Sequence, residues 1–349
     1  MSFNFSDELS KIELVLTENL PSTPSKEWLK QTFSVLPSFV NNNHTDALIM
    51  PCKKLLELGG KRWRPLLMVL CAEAASKKTT PPDEVYKLTP LVEFVHTASL
   101  IHDDIEDNAD TRRGAPAAHI SYGLDTALNA ASWLYFQASN CIKSSGLAPE
   151  TQIQLYNLYA TELRRLHLGQ AMDITWHKNN TTIPTVAEYT SMVRLKTGTL
   201  ASLAAQTGVI AGGGDQEQVQ LMGQVAANIG VGFQVLDDVI NLTTGNVGKK
   251  RGDDIVEGKK SLPILIHLTK NPEDFYTIMN YFEIAKQEGI ESTVIEECIK
   301  LVSESGAIQE AQETAQTLIS KSCSEVSEIY PDSIAANKIT ELFSRMMPK

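Results

Sequence analysis

VQLMGQVAANIGVGFQVLDDVINL, residues 219–242, decides the fold class: its apolar residues recur at helical spacing, and Gln234, Asp237, Asp238 and Asn241 collect at its C-terminal end. LYNLYATELRRLHLGQAMDI, residues 155–174, carries the same period, and so do most other long segments. Alternating strand patterns are scarce, so the chain reads as nearly all helical. Turn residues at 21–24, 58–60, 79–82, 114–116, 146–149, 212–214, 245–252 and 272 divide it into about ten helices, several longer than about 20 residues, with no repeat and no linker. The expected architecture is all-α, a large single-domain helical bundle. Residues 271–349 alternate amphipathic and polar stretches without a chemical cluster, and are expected to serve packing.

The chain has 349 residues, of which 42% are hydrophobic and 21% charged, and a formal charge of −11. That composition excludes collagen, disordered and membrane-channel classes. The acidic balance argues against broad nucleic-acid or anionic-membrane binding, because a polyanion needs a basic stripe to displace its counterions. Five scattered cysteines, Cys52, Cys71, Cys141, Cys298 and Cys323, lack zinc spacing and read as reduced thiols. MSFNFSDELSKIELVLTENL has acidic residues early and no basic–apolar–small order, so it is not a secretory signal and a cytoplasmic location is expected. The most apolar stretches, 200–213 and 218–236, contain Gln, Thr or Asn and fall short of about 18 uninterrupted apolar residues. No membrane span is expected.

The first acidic motif in chain order lies in SLIHDDIEDNADTRRG, residues 99–114, at the end of the apolar helix opened by Pro90, and the cluster at 234–241 is the second. At about 3.6 residues per turn, Asp103 and Asp107 stack one turn apart with Asp104 beside them. In the other cluster Gln234, Asp237 and Asn241 share a face. Carboxylates this close repel at a helix end where the macrodipole is also negative, and a divalent cation relieves the repulsion. Hard oxygen donors without His or Cys suit Mg2+, which commonly bridges one or two carboxylates to substrate phosphates. A metal–diphosphate site is therefore expected. One such cluster alone could be a solvated helix end, but two after apolar helices argue against that. An EF-hand is excluded by the missing glycine at loop position six and glutamate at twelve.

Basic residues sit where a phosphate would need them. GGKRWRP, residues 59–65, opens a helix, and Arg112–Arg113–Gly114 follows the first acidic motif. Guanidinium forks and helix N-termini both favour phosphate oxygens. With metal recruiting one diphosphate and these cations a second, the site can hold two anionic substrates. Arg62 alone reads as a helix-terminus solubility charge. Lys196–Thr197 and Gly258–Lys259 are further candidates.

GGKRWRP, DDIED followed by RRG, GQAMD (169–173), Lys196–Thr197, FQVLDDVIN and GDDIVEGKKSLP together resemble the trans-isoprenyl diphosphate synthases, in that family's order across residues 59–263. The resemblance implies the isoprenoid synthase fold around a deep central cavity, with a motif-bearing core at about 45–270 and C-terminal packing helices at about 271–349 of a single prenyltransferase domain, 1–349. It implies three Mg2+ ions, a homodimer, and condensation of isopentenyl diphosphate with an allylic diphosphate. By the match, Asp103, Asp107, Asp173 and Asp237 hold metal, with Asp104 and Asp238 supporting through bound water or hydrogen bonds. Arg112, Gln170, Lys196 and Lys259 bind the allylic diphosphate; Lys61, Arg64, His96 and Arg113 bind isopentenyl diphosphate; Thr197 and Gln234 offer oxygen dipoles to the allylic cation. Asn241 stands where many members have Asp. His102 and His119 read as structural.

Product length is set by what lies deeper along the helix that carries DDIED. At about 1.5 Å per residue, Ala98 and Ser99 lie roughly 6–8 Å from Asp103 toward the helix N-terminus. Both are small, so more than a ten-carbon primer is admitted; Trp133, Tyr135 or Phe136 on a neighbouring helix could form the floor. ASLIHDDIEDN resembles geranylgeranyl diphosphate synthases and inclines the reading to a twenty-carbon product. Farnesyl or longer polyprenyl synthase, class I terpene cyclase and inactive partner subunit are the alternatives. A cyclase would need Ser and Glu where this chain has Asn241 and Gly245. Incubation of the protein with geranylgeranyl diphosphate and magnesium alone, followed by chromatography, should yield no hydrocarbon or alcohol; a terpene product would favour the cyclase.

Overall fold

The computed structural model describes residues 3–78, 80–179, 182–245 and 250–347. Among them are eighteen α-helices, one π-helical turn (Arg194–Gly198), one 3-10 turn and a single two-stranded hairpin. The helix count exceeds the expected ten because five-residue helices such as Asp83–Lys87, Ala118–Tyr122 and Asp253–Glu257 are too short to show a period. The C-terminal part also breaks at Gly289, Gly306 and Asp332, each with positive φ. The chain forms two compact units.

The first unit comprises residues 1–161, 203–222 and 330–341. Helix Pro90–Glu106 opens with proline in its first turn, where no intrahelical donor is lost. It packs against helices Leu124–Ser144, Asn42–Glu57 and Trp63–Ser76. Its buried stripe continues through Thr97, Ala98 and Ile101 to Asp104, which is why that carboxylate is carried inside. Asp103 and Asp107, one turn apart on the adjoining face, remain half-buried. Gly208 and Gly212 allow the segment 203–212 to lie backbone-close to helix Trp63–Ser76: a Cβ at Gly208 would stand 2.1 Å from the Met68 carbonyl oxygen. Lys338 joins the C-terminal helix to Glu73 at 2.8 Å and to Glu8 of the N-terminal helix Ser6–Asn19 at 3.8 Å.

The second unit comprises residues 162–202, 223–329 and 342–349. Helix Val186–Val193 starts in a reciprocal cap, Glu188 N–H to Thr185 Oγ1 and Thr185 N–H to Glu188 Oε2. Gly198 and Gly230 meet at van der Waals range, so a Cβ at Gly230 would stand 2.7 Å from Gly198 Cα. Helix Leu262–Lys270 packs on Ala307–Ile329, and Asp253–Glu257 on Phe275–Glu288, around the buried Phe282.

Helix Gln216–Thr243 is long and apolar enough to cross a bilayer by length and composition, yet 67% of its most apolar window is buried in protein, the pattern of a core helix. Replacing Gly208 by Ala should destabilise the protein by about 1–3 kcal/mol, because the added methyl has no room to relax against backbone. A fall of several degrees in the thermal midpoint is the expected result; an unchanged midpoint would mean the two segments do not pack at backbone distance.

Candidate active site

In the first unit the acidic helix ends at Asp107, whose N–H donates to the Asp103 carbonyl at 2.9 Å. The chain then turns into the hairpin Thr111–Arg112 and Ala115–Pro116. Its two-residue loop, Arg113–Gly114, has positive φ at both positions, the backbone of the tight turn that matches strand twist. The arginine–arginine–glycine string is thus a hairpin, which alternation could not reveal in strands of two residues. It sends the two arginines to different partners. Arg112 Nε donates to Asp104 Oδ1 at 2.7 Å, and its Nη2 donates to the same oxygen. Arg113 Nη1 donates to the carbonyl of Gly59, in the loop before helix Trp63–Ser76.

Asp104 is 1% exposed and its Oδ2 has no hydrogen-bond partner. Burial raises its pKa, against the opposing pull of Arg112. His119, read as structural from sequence, carries a buried Nδ1 without a hydrogen-bond partner. His102 lies against the Tyr135 ring at 5.5 Å.

Arg64 and Arg113 form a cationic pair on the same unit, with the His96 imidazole within reach of their charge. Burial pushes the Arg64 guanidinium down to about 10, with Arg113 adding to the fall, and its buried Nε has no partner. Burial, then Arg64 and Arg113, hold His96 well below its ordinary value. Arg113 is lowered chiefly by burial. Lys61 is exposed. Arg62 departs from the expectation of a solvated charge: it is 5% exposed and ion-paired to Glu13 at 2.6 Å and Glu93 at 2.7 Å. A side chain of this length reaches inward when two carboxylates meet it.

Ala98 is fully buried, whereas Ser99 is half-buried with its hydroxyl donating to the His96 carbonyl at 2.9 Å. Trp133 stacks on Phe33 at 6.2 Å, and Tyr135 is buried. Phe136 is 77% exposed and is no candidate for a pocket floor: its neighbours Leu134, Tyr135, Gln137 and Ala138 turn inward and it turns out.

In the second unit Gly169 explains the first letter of the GQAMD motif: a Cβ there would stand 2.4 Å from the Lys196 backbone nitrogen. That approach sets Asp173 Oδ2 2.7 Å from Lys196 Nζ. Gln170 lies half-buried one turn before Asp173. Lys196 and Thr197 sit in the π-helical turn Arg194–Gly198, a local widening that re-aims side chains within a helix. Thr197 Oγ1 donates to Gln234 Oε1 at 3.1 Å, and Gln234 Nε2 donates to Asp238 Oδ1 at 3.2 Å.

The two aspartates of the second motif part company. Asp237 is exposed. Asp238 is buried and accepts from Tyr189 Oη at 2.5 Å and from the Leu262 N–H at 3.0 Å. Burial, reinforced by Asp254, pushes Asp238 up to about 7. Asn241 is also buried; its Oδ1 accepts from the Asp254 N–H at 3.3 Å and its carbonyl from the Gly252 N–H at 2.9 Å. It shapes the turn into Asp253–Glu257, after which Lys259 pairs with Glu257. Sequence reasoning missed Tyr189 and Lys260. The latter is buried over the Phe282 ring at 5.2 Å and brought down to about 8 by burial.

Among the described residues no three His, Cys, Asp or Glu side chains gather closely enough to hold an ion by themselves. The donor set still fits a hard cation completed by phosphate oxygens: Asp103 and Asp107 share a helix face, and buried Asp104 keeps one oxygen unpartnered beside them.

Comparison with known proteins gives a coherent result. The Polyprenyl synthetase family model matches residues 45–302. A geranylfarnesyl diphosphate synthase of Natronomonas pharaonis is 31% identical over 312 residues, 85% of this chain and 88% of that one. Geranylgeranyl pyrophosphate synthase 2 of Zymoseptoria tritici is 33% identical over 261 residues, 74% of this chain and 75% of that one. The crystal structure of a geranylgeranyl pyrophosphate synthetase from Pyrococcus horikoshii superposes with a TM-score of 0.83 at 25% identity, covering 99% of this chain and 97% of that chain. With an all-α isoprenoid synthase fold and this motif order, the chain belongs to the polyprenyl synthetase family and is a trans-prenyltransferase that elongates prenyl diphosphates.

Proposed function

We propose that the protein makes geranylgeranyl diphosphate by head-to-tail addition of isopentenyl diphosphate to an allylic diphosphate, with Mg2+ as the metal. The observation that carries this reading is the construction of the first unit, where helix Pro90–Glu106 and the hairpin after it supply both the acidic pair Asp103 and Asp107 and the cations Arg112 and Arg113, with Arg64 added from helix Trp63–Ser76. Asp103 and Asp107 would hold the metal, and Arg112, fixed on Asp104, would meet the oxygens of the allylic diphosphate. Arg64, His96, Arg113 and Lys61 take isopentenyl diphosphate. The positive charge of Lys61, Arg64 and Arg113 is what a diphosphate neutralises, and the neutral His96 imidazole supplies an N–H donor.

In the second unit Asp173 and Asp237 are assigned to metal, and Gln170, Lys196 and Lys259 to the allylic diphosphate. Thr197 and Gln234 direct oxygen dipoles toward the allylic cation, and the Asp238–Gln234–Thr197 chain of hydrogen bonds fixes their orientation. The metal, when bound, draws charge from the departing diphosphate. Three ions follow from the family resemblance. The carbon–oxygen bond of the allylic substrate breaks, the double bond of isopentenyl diphosphate attacks C1, and the proton lost from the new cation passes to released diphosphate.

The twenty-carbon product is supported by small Ala98 and Ser99 and by relatives named for geranylgeranyl diphosphate synthesis. We further read the chain as one prenyltransferase domain, since the family match at 45–302 runs through residues of both units. The active species is a homodimer: Leu124, Leu128 and Phe136 leave an exposed apolar stripe on helix Leu124–Ser144, the kind of surface a second copy covers. The five unpaired cysteines accord with a cytoplasmic location.

Asp103→Ala should lower kcat by about two to three orders of magnitude or more with unchanged far-ultraviolet circular dichroism; near-normal turnover would remove Asp103 from the site. Chromatography of products from dimethylallyl, geranyl and farnesyl diphosphate primers should show a common twenty-carbon end point, and accumulation of fifteen- or thirty-carbon chains would overturn the product assignment.

A further inference from the structure

Arg62 is an unusual arginine. It sits at the N-terminus of helix Trp63–Ser76 with φ +47°, a left-handed backbone that side chains other than glycine adopt at a cost. Its guanidinium is fully engaged. Nε donates to Glu13 Oε1 at 2.6 Å, Nη1 to Glu93 Oε1 at 2.7 Å and Nη2 to the Leu56 carbonyl at 2.7 Å. Three separate helices thereby meet on one side chain: Ser6–Asn19, Asn42–Glu57 and Pro90–Glu106.

The loop around Arg62 is held from its other side as well. Arg113 Nη1 donates to the Gly59 carbonyl, and a Cβ at Gly60 would stand 3.1 Å from Arg113 Nη2. Lys61 and Arg64 flank Arg62 and, among the described residues, form no ion pair like that of Arg62; the Arg64 guanidinium lies over the neighbouring Trp63 ring at 4.5 Å. The backbone at Arg62 therefore fixes the direction in which those two cations leave the chain. Glu93 is fully committed to a crowd of three guanidinium groups, Arg62, Arg64 and Arg113. Glu13 supplies the second negative charge, and it comes from a helix that lies before the family-matched segment 45–302.

We infer that Arg62 is a positioning residue, and that Glu13 of the N-terminal helix, through its ion pair with Arg62, sets the affinity of the Lys61–Arg64 segment, which leads into helix Trp63–Ser76, for isopentenyl diphosphate. The inference rests on the assignment of Lys61 and Arg64 to isopentenyl diphosphate. Glu13 is half exposed, so its amide variant keeps the fold, while loss of one charge relaxes the hold on the left-handed backbone. The segment entering the helix then samples orientations that bind the diphosphate less well, and the allylic substrate, which uses other groups, is unaffected.

The test is steady-state kinetics of the full chain with each substrate varied in turn, together with thermal midpoints. Glu13→Gln should raise KM for isopentenyl diphosphate by about three- to tenfold while kcat and KM for the allylic diphosphate stay within about twofold. Glu13→Asp should recover part of the loss. Glu8→Gln, on the same helix but paired with Lys338, should leave both KM values unchanged. An unchanged KM in Glu13→Gln overturns the inference, and so does an equal rise for both substrates or an equal effect of Glu8→Gln, each of which reports helix stability alone. Arg64→Ala separates the underlying reading from the inference: if it leaves KM for isopentenyl diphosphate unchanged, the site assignment fails, whereas a rise with Arg64→Ala and none with Glu13→Gln removes the role of Glu13 only.

Discussion

Like charges crowded into partly buried space are the constraint on which the first unit is built. Arg62, Arg64 and Arg113 act together on one buried carboxylate, Glu93, and on the neighbouring His96 imidazole. Taking guanidinium groups out of water is expensive, and each that is buried needs acceptors or an opposite charge. Arg62 finds them in Glu13, Glu93 and a carbonyl, and Arg113 in the Gly59 carbonyl. Arg64 keeps a buried Nε without a partner. Such an arrangement stores a preference for an anion.

The acidic motifs obey the same electrostatics with signs reversed, and in each the helical period separates two tasks. Asp104 and Asp238 fall on buried faces and become scaffolding: one fixes Arg112, the other ties Tyr189, Gln234 and the start of helix Leu262–Lys270 together. Asp103, Asp107 and Asp237 stay on wetter faces. Neighbouring aspartates in a DD pair thus differ by about 100° around a helix, and that rotation alone assigns them different environments.

Close approach of backbones places the groups around these motifs. Gly169 lets its helix meet the backbone at Lys196, which puts Asp173 within ion-pair range of the Lys196 ammonium. The π-helical turn at Arg194–Gly198 adds a local rotation that a straight helix would not give to Lys196 and Thr197. Asn241 uses its amide oxygen to cap a backbone N–H of the next turn. An uncharged oxygen suffices for that bond, whereas a third carboxylate beside Asp238 and Asp254 would add repulsion.

The sequence by itself determined the all-α class, the positions of both acidic motifs and the chemistry they call for, because helical period and residue type are local properties of the chain. It also singled out the basic strings at 59–65 and 112–113. Only the tertiary structure decided that Arg62 is a buried tie to Glu13, a residue 49 positions earlier, and that the arginine pair rides on a two-residue hairpin. It alone turned Phe136 outward and brought Tyr189 onto Asp238. Those facts depend on which distant side chain supplies an opposite charge or a hydrogen-bond partner, and on which face of a helix meets another, and neither is encoded in the spacing of residues along one segment.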